Sequence, residues 1–333
     1  RELYEGRKER PLVALADARA NAQRLDFESP PPAVPAFLGR RIVDDVTVAD
    51  LEPYIDWTFF FSTWDLKGKY PKILDDPRQG EAARELFAHG RELLDEIIEK
   101  RWLTPRGVYG FWPARRENDD IVLFADEDLA AEVARFPMLR QQSVAPDGKP
   151  NRSLADLVAP REAGVADYVG AFAVTSGAEA EERAASFEKD HDDYRSIMVK
   201  ALADRLAEAF AELLHARARV DWGYGSDESL SNDDLVAERY RGIRPAFGYP
   251  ACPDHLPKRR LFSLLDAPEI GMELTETCAM RPAASVSGLY FSHPDARYFT
   301  VGRLGRDQIE DYAARLDITV EDAERWLASN LGY

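Results

Sequence analysis

Apolar and polar positions along this chain follow two periods that alternate from one region to the next. Between about residues 82 and 100, Leu86, Leu93, Leu94, Ile97 and Ile98 recur every three or four positions. That spacing predicts an amphipathic helix, with Lys100 and Arg101 complementing the dipole at its C-terminal end. A longer run of the same period covers residues 178–217, with a break expected near His191-Asp192-Asp193. Its second half carries an apolar stripe through Met198, Leu202, Leu206, Phe210 and Leu213, and Asp204, Glu208 and His215 follow along its edge. Nearly unbroken apolar stretches at residues 108–112, 121–125 and 167–175 predict strands, the last two central because both of their faces are apolar. Arg41-Ile42-Val43 followed by Val46-Thr47-Val48 reads as a short strand or hairpin. Residues 285–292, a His293-Pro294-Asp295-Ala296 turn and residues 297–304 read as a second hairpin.

Capping and breaker residues refine this outline. Ser231-Asn232-Asp233-Asp234 is expected to start a helix, and Thr319-Val320-Glu321-Asp322 resembles a capping box with Asp in place of Glu. Between residues 242 and 253, three prolines and two glycines forbid both helix and central strand, so a shaped loop is expected. Strands lie among helices without a regular βαβ rhythm. The expected fold is therefore α/β (α+β), a single body with a central twisted, mainly antiparallel sheet and flanking helices. Residues 1–36 are charged, with only a thin apolar stripe at Leu12, Leu15 and Ala16. They end in the stiff Ser29-Pro30-Pro31-Pro32-Ala33-Val34-Pro35 spacer. They read as an arm packing little surface of its own, and residues 37–333 as the folded body.

Composition narrows the function classes. With 43 Lys and Arg against 60 Asp and Glu, the 333-residue chain carries a formal charge of −17. That balance argues against a sequence-independent grip on nucleic acid, and no stretch approaches the roughly 20 apolar residues of a membrane span. Two cysteines, Cys252 and Cys278, are too few for a disulfide framework, so a reducing, cytoplasmic setting is expected. The chain starts at Arg1 without a signal-peptide pattern and is read as a piece of a longer polypeptide.

Familiar catalytic signatures are absent: no Gly-x-Gly-x-x-Gly, no phosphate loop, no Gly-x-Ser-x-Gly elbow. Cys252-Pro253-Asp254-His255 has no second Cys/His pair at zinc spacing, and a packed Cys252 is a better reading than a nucleophile. What remains suits a small zwitterion with an aromatic part. Arg244 can clasp a carboxylate with two hydrogen bonds, and Gly248 lets a ligand approach the main chain. Tyr249 offers a ring or hydroxyl, and Asp56, beside a very apolar run, could hold an ammonium group. Glu208 and Asp204 add negative charge, while Tyr298 and Phe299 are adjacent aromatics that strand alternation would send to opposite faces. Each also has a plain structural reading: Asp56 as a helix cap, Arg244 as a loop tie, the aromatics as core.

Four segments together resemble one family. They are Asp56-Trp57-Thr58-Phe59-Phe60, residues 198–210, the loop Arg244-Pro245-Ala246-Phe247-Gly248-Tyr249-Pro250-Ala251-Cys252-Pro253, and residues 285–294. The family is the C-terminal activation domain of cobalamin-dependent methionine synthase, and the likeness runs in order from about Asp44 to Leu331. Phe247 stands where the family often has proline. The resemblance implies a module that binds S-adenosylmethionine and presents its methyl group for reductive remethylation of cob(II)alamin held by the parent enzyme. By motif, Asp56 would hold the amino group, Arg244 and Tyr249 the carboxylate, and Tyr298 and Phe299 the adenosine. Glu208 would be a further contact, and Asp204 would face the cobalamin domain in that scheme. The resemblance also implies a cobalamin-binding domain joined through residues 1–36, flavodoxin or an equivalent reductase as partner, and zinc only in a separate homocysteine domain. No side chain need be catalytic, since cofactors supply electron and nucleophile. Two other readings stay open: a binding-only S-adenosylmethionine-sensing module, and a hydrolase or transferase pairing Asp56 with Glu208 or Asp204. The ligand groove is expected between the Arg244 loop and the second hairpin.

Overall fold

The computed structural model describes residues 11–144, 148–231, 234–235 and 237–333. Its strands are β1 (Gly39–Val43), β2 (Arg106–Glu117), β3 (Asp120–Phe124), β4 (Glu132–Pro137), β5 (Asp167–Thr175), β6 (Glu273–Leu274), β7 (Met280–Arg281) and β8 (Ser285–Tyr290). Its α-helices begin with α1 (Leu15–Ala20), α2 (Val48–Leu51), α3 (Trp57–Ser62), α4 (Gly80–Glu99) and α5 (Glu179–Lys189). They continue with α6 (Asp193–Asp221), α7 (Lys258–Leu265), α8 (Arg306–Leu316) and α9 (Val320–Trp326).

The main sheet runs β4-β3-β2-β5-β8, with β1 and β3 sharing one edge of the long β2 end to end. Every pairing in it is antiparallel. Alternation along β5 shows why its sequence between Asp167 and Thr175 is apolar. Tyr168, Phe172 and Val174 face one hydrophobic cluster, and Val169, Ala171 and Ala173 face the other. Buried on both sides, the middle of such a strand favours apolar side chains, and the polar Asp167 and Thr175 stand at its ends, hydrogen-bonded to main-chain groups. Against the first face pack α3, α4, α5 and the long α6; against the second pack α7 and the segment around Phe247. A third cluster joins α8 and α9 around Ile309, Tyr312 and Leu327.

Helix α4, the break before α6 and the three predicted strands match their expectations. Arg101 and His191 take positive φ, of 50° and 60°, where α4 ends and where α5 gives way to α6. Thr319 accepts from Asp322 N at 3.1 Å, forming the forward half of the predicted box. At Ser231 the side chain accepts from Asp234 N at 3.2 Å; Asn232 and Asp233 of that predicted start lie outside the described residues, as do residues 1–10 of the arm.

Three expectations are corrected. Val46-Thr47-Val48 is not a second strand, because Thr47 caps α2 through a box with Asp50. Residues 297–304 form no strand beside β8, whose outer edge pairs instead with Ile243–Pro245: Leu289 N donates to Pro245 O and Phe291 N to Ile243 O, both at 3.0 Å. Those residues instead cross to the loop and the C-terminal end, Val301 N donating to Pro250 O and Leu304 N to Asn330 O, both at 2.8 Å. The described part of the arm packs closely rather than loosely. Leu15, Ala18 and Phe27 are buried, Trp222 Nε1 donates to Ala33 O at 3.1 Å, and Ala36 N donates to Asp221 O at 2.7 Å.

A buried ion cluster ties these parts together. Arg140, 2% exposed along its side chain, donates to Asp119 and Asp156 and to the Asn151 carbonyl. Arg19 of the arm reaches Asp119 at 2.7 Å, and Arg116 of β2 reaches Asp156 at 3.0 Å. Burial alone would raise the Asp119 pKa, but Arg140 and Arg19 reverse this and hold it below the usual carboxylate value. A depressed folded pKa means the stabilisation is present above the ordinary carboxylate range and lost as pH falls through the folded value. Arg140→Met leaves two carboxylates buried without their shared cation and should lower stability by about 3–5 kcal/mol in urea unfolding at neutral pH. Replacing Arg140, Asp119 and Asp156 together by apolar residues of similar volume should cost far less.

Candidate functional site

Arg244 lies between the two residues that extend the sheet beyond β8, Ile243 and Pro245. The close approach depends on Gly288, where a Cβ would stand 2.5 Å from the Pro245 carbonyl oxygen. Fixed in this way, the Arg244 guanidinium meets α6. Its Nη2 donates to Glu212 Oε2 at 2.6 Å, and its Nη1 lies 4.0 Å from Glu208 Oε2, outside hydrogen-bond reach. The Arg244 main-chain N–H donates to the Tyr298 hydroxyl at 3.0 Å. Burial works against the charge on Arg244, but Glu212, followed by Tyr240, Tyr298 and Glu208, raises its pKa above the ordinary value. The group is a permanent cation.

Among the described residues, Arg244 Nε and Glu212 Oε1 are buried without a hydrogen-bond partner. Behind them both ring nitrogens of His215 are also unpartnered. His215 stacks on Tyr290 at 5.0 Å, and burial, with Arg219 and Arg244, holds its pKa well below the usual value. A neutral imidazole is thus packed beneath the ion pair.

Asp56 caps α3 by accepting from Thr58 N at 2.9 Å through Oδ1. It lines a groove of about 740 Å³ with Trp57, Phe59, Tyr70, Arg91 and Glu212. Glu212 therefore joins two predicted halves of the site, opening on the Asp56 groove while holding Arg244. Tyr249, 60% exposed at the turn closed by Cys252 N to Tyr249 O, has its pKa raised by burial of part of its ring and by the nearby Glu208. Tyr298 stands at the same loop.

Other predicted residues lie elsewhere. Phe299 turns away from Tyr298 and packs against the second and third hydrophobic clusters, the opposite orientation that alternation anticipated. Gly248 is not open to a ligand on its side-chain side, because a Cβ there would stand 2.1 Å from the His255 ring. Its φ of +95° is a second reason for glycine. Cys252 is buried with Sγ 3.0 Å from the Ala246 carbonyl, and burial and Asp254 push its thiol pKa up. That is the packed reading, not a nucleophile. Asp204 lies one turn before Glu208 on α6, and burial raises its pKa. Among the described residues no group of three or more His, Cys, Asp and Glu could hold a metal ion, and no helix is long and apolar enough to cross a membrane.

The residue that sequence reading missed is Glu212. Its signal was present, since Asp204, Glu208 and Glu212 repeat at four-residue spacing and place three carboxylates on one side of α6.

A family model for the vitamin B12 dependent methionine synthase activation domain matches residues 47–317. This chain belongs to that family. The matched span contains Asp56, Glu208, Arg244, Tyr249, Tyr298 and Phe299 and begins beyond the arm. A solved structure of the MetH reactivation domain bound to AdoHcy is 51% identical in sequence and superposes with a TM-score of 0.94. The match covers 97% of this chain and 99% of that one. The α/β body with its antiparallel sheet is thus the activation-domain fold.

In this activation domain the loop geometry depends on Gly288. Gly288→Ala should displace Pro245, lower stability by about 1–3 kcal/mol and accelerate hydrogen exchange at the Leu289 amide, which donates to Pro245 O. Unchanged exchange at Leu289 would refute this account of the edge.

Proposed function

We propose that this domain binds S-adenosylmethionine along the groove from Asp56 past Glu212 to Arg244. There it presents the methyl group for reductive remethylation of cob(II)alamin held by a cobalamin-binding domain of the same polypeptide. The observation that carries the reading is the incompletely partnered Arg244. Its Nη2 is held by Glu212 while Nη1 stands beyond hydrogen-bond reach of Glu208, so a fixed cation retains donors for a ligand carboxylate. Asp56 uses one oxygen for its cap and can direct the other to the ligand ammonium. Tyr249 stands on the same loop to complete the carboxylate contact, and Tyr298, bonded to the Arg244 main chain, would flank the nucleoside end. Membership of the family and the AdoHcy bound by the MetH reactivation domain support the same ligand class.

Cobalamin held by the neighbouring domain, with one electron from flavodoxin or an equivalent reductase, would supply the nucleophile for the sulfonium methyl group, S-adenosylhomocysteine being the product left in this domain. What this chain contributes is positioning. Two charged ends of the methionine moiety, fixed by Arg244 and Asp56, leave the methyl group little freedom, which favours an in-line displacement. No proton is transferred by a side chain here. Residues 1–36 would connect this body to the cobalamin domain, and the setting would be cytoplasmic.

Titration calorimetry of the domain with S-adenosylmethionine should give saturable one-to-one binding. Arg244→Ala and Asp56→Ala should each weaken it by on the order of tenfold or more, since each removes a charge-assisted hydrogen bond. A folded domain that does not bind, or binds unchanged after both substitutions, would overturn this reading.

A further inference from the structure

Lys258 is out of place on two counts. It is the first residue of α7, where the helix dipole disfavours a cation, and it is only 7% exposed. Among the described residues its ammonium meets no carboxylate. Asp254, close by in the chain, is committed to the Tyr312 hydroxyl and the Leu256 amide, both at 2.9 Å. Buried cations are ordinarily paired with an anion. Lys258 Nζ lies instead 3.0 Å from His255 Nδ1 and 3.5 Å from the Cys278 carbonyl oxygen, with the thiols of Cys278 and Cys252 nearby. Burial lowers the pKa of Lys258, and burial together with Lys258 lowers that of His255.

The His255 ring fills the space a side chain would take at Gly248. A Cβ there would stand 2.1 Å from Cε1, 2.5 Å from Nδ1 and 2.8 Å from Nε2. Gly248 opens the turn that carries Tyr249: Gly248 N donates to Cys252 O at 2.8 Å, and Cys252 N donates to Tyr249 O at 2.9 Å. The turn thus leans on the imidazole, and the imidazole is held along its Nδ1 edge by Lys258. We propose that Lys258 and His255 form a strut that sets this turn and thereby where Tyr249 stands at the ligand carboxylate. The inference rests on the ligand reading above and deepens it. An ammonium only donates, so Nδ1 offers its lone pair and the ring proton sits on Nε2. An apolar side chain in place of Lys258 could fill the same volume, but it would leave the ring free to turn over and exchange tautomers. Both are positioning residues, acting on the ligand through Tyr249.

Long-range nitrogen–proton NMR of the free domain should show a neutral His255 with its proton on Nε2. Lys258→Met keeps the length and removes the donor. It should give a mixture of tautomers and speed hydrogen exchange at the Gly248 and Cys252 amides, which close the turn. Calorimetry with S-adenosylmethionine reads the consequence. His255→Ala should weaken binding on the order of fivefold, the worth of one neutral hydrogen bond. His255→Asn, whose amide oxygen can replace Nδ1 as acceptor for Lys258, should recover most of that loss. In a Tyr249→Ala background, His255→Ala should cost nothing further, because the turn no longer carries the contact. A proton on Nδ1 in the unsubstituted domain, unchanged exchange in Lys258→Met, or equal losses from His255→Ala with and without Tyr249 would overturn the inference while the ligand reading stood. Absence of binding by the unsubstituted domain would overturn the ligand reading and the role given to Tyr249. The two failures are told apart by the tautomer and the exchange rates, which need no ligand.

Discussion

Three backbone hydrogen bonds lay Ile243–Pro245 along the outer edge of β8, and the position of Arg244 follows from them. An exposed sheet edge is a row of unpaired donors and acceptors that must be covered or blunted. This domain covers it with a proline-containing segment that cannot become a full strand, because Pro245 and Pro250 lack donors. The edge is thus closed by a piece of chain short enough to turn sharply on both sides. Arg244 is carried at its centre against α6, and Tyr298 is drawn to the Arg244 main chain. Without the missing side chain at Gly288 the segment could not come close enough.

Two buried arginines differ in how fully their hydrogen bonds are satisfied. Arg140 meets acceptors with Nε and both terminal nitrogens, on two carboxylates and a carbonyl. Nothing is left over for a ligand, and its role is to bind arm, sheet and the C-terminal helices into one body. Arg244 is charged and largely buried but has one close carboxylate and an unpartnered Nε. Unmet donors in a low-dielectric setting are costly, and it is these that the proposed ligand carboxylate would meet.

Much of the architecture was legible locally. The apolar runs of β3 and β5, the stripe of α4 and the break at His191 each depend on residues close in sequence. What could not be read was competition between distant partners. Residues 297–304 alternate well enough for a strand, but the β8 edge they would need is taken by a segment some fifty positions earlier. The arm looked too polar to pack because Arg19 finds Asp119 only across the fold. Of the residues read from motif likeness and chemistry, Arg244, Tyr298 and Glu208 lie close together, Asp56 lines the neighbouring groove, and Phe299 packs into the core. Glu212 was hidden because a carboxylate inside an apolar helix stripe resembles an interruption until its partner is known.

Fastening of the arm has a mechanical consequence. Fully extended, 26 residues could reach roughly 90 Å. Here residues 11–36 are pinned at Leu15 to Asp307, at Asp26 to His293, and at Ala33 and Ala36 to the end of α6. Held at these points, the described arm offers no slack of its own, so a domain joined at this end would be leashed from beyond Pro11, near α8. Tension on the leash would load α8 and the half-buried Arg19–Asp119 contact first, while the Arg244 loop on β8 would feel it last.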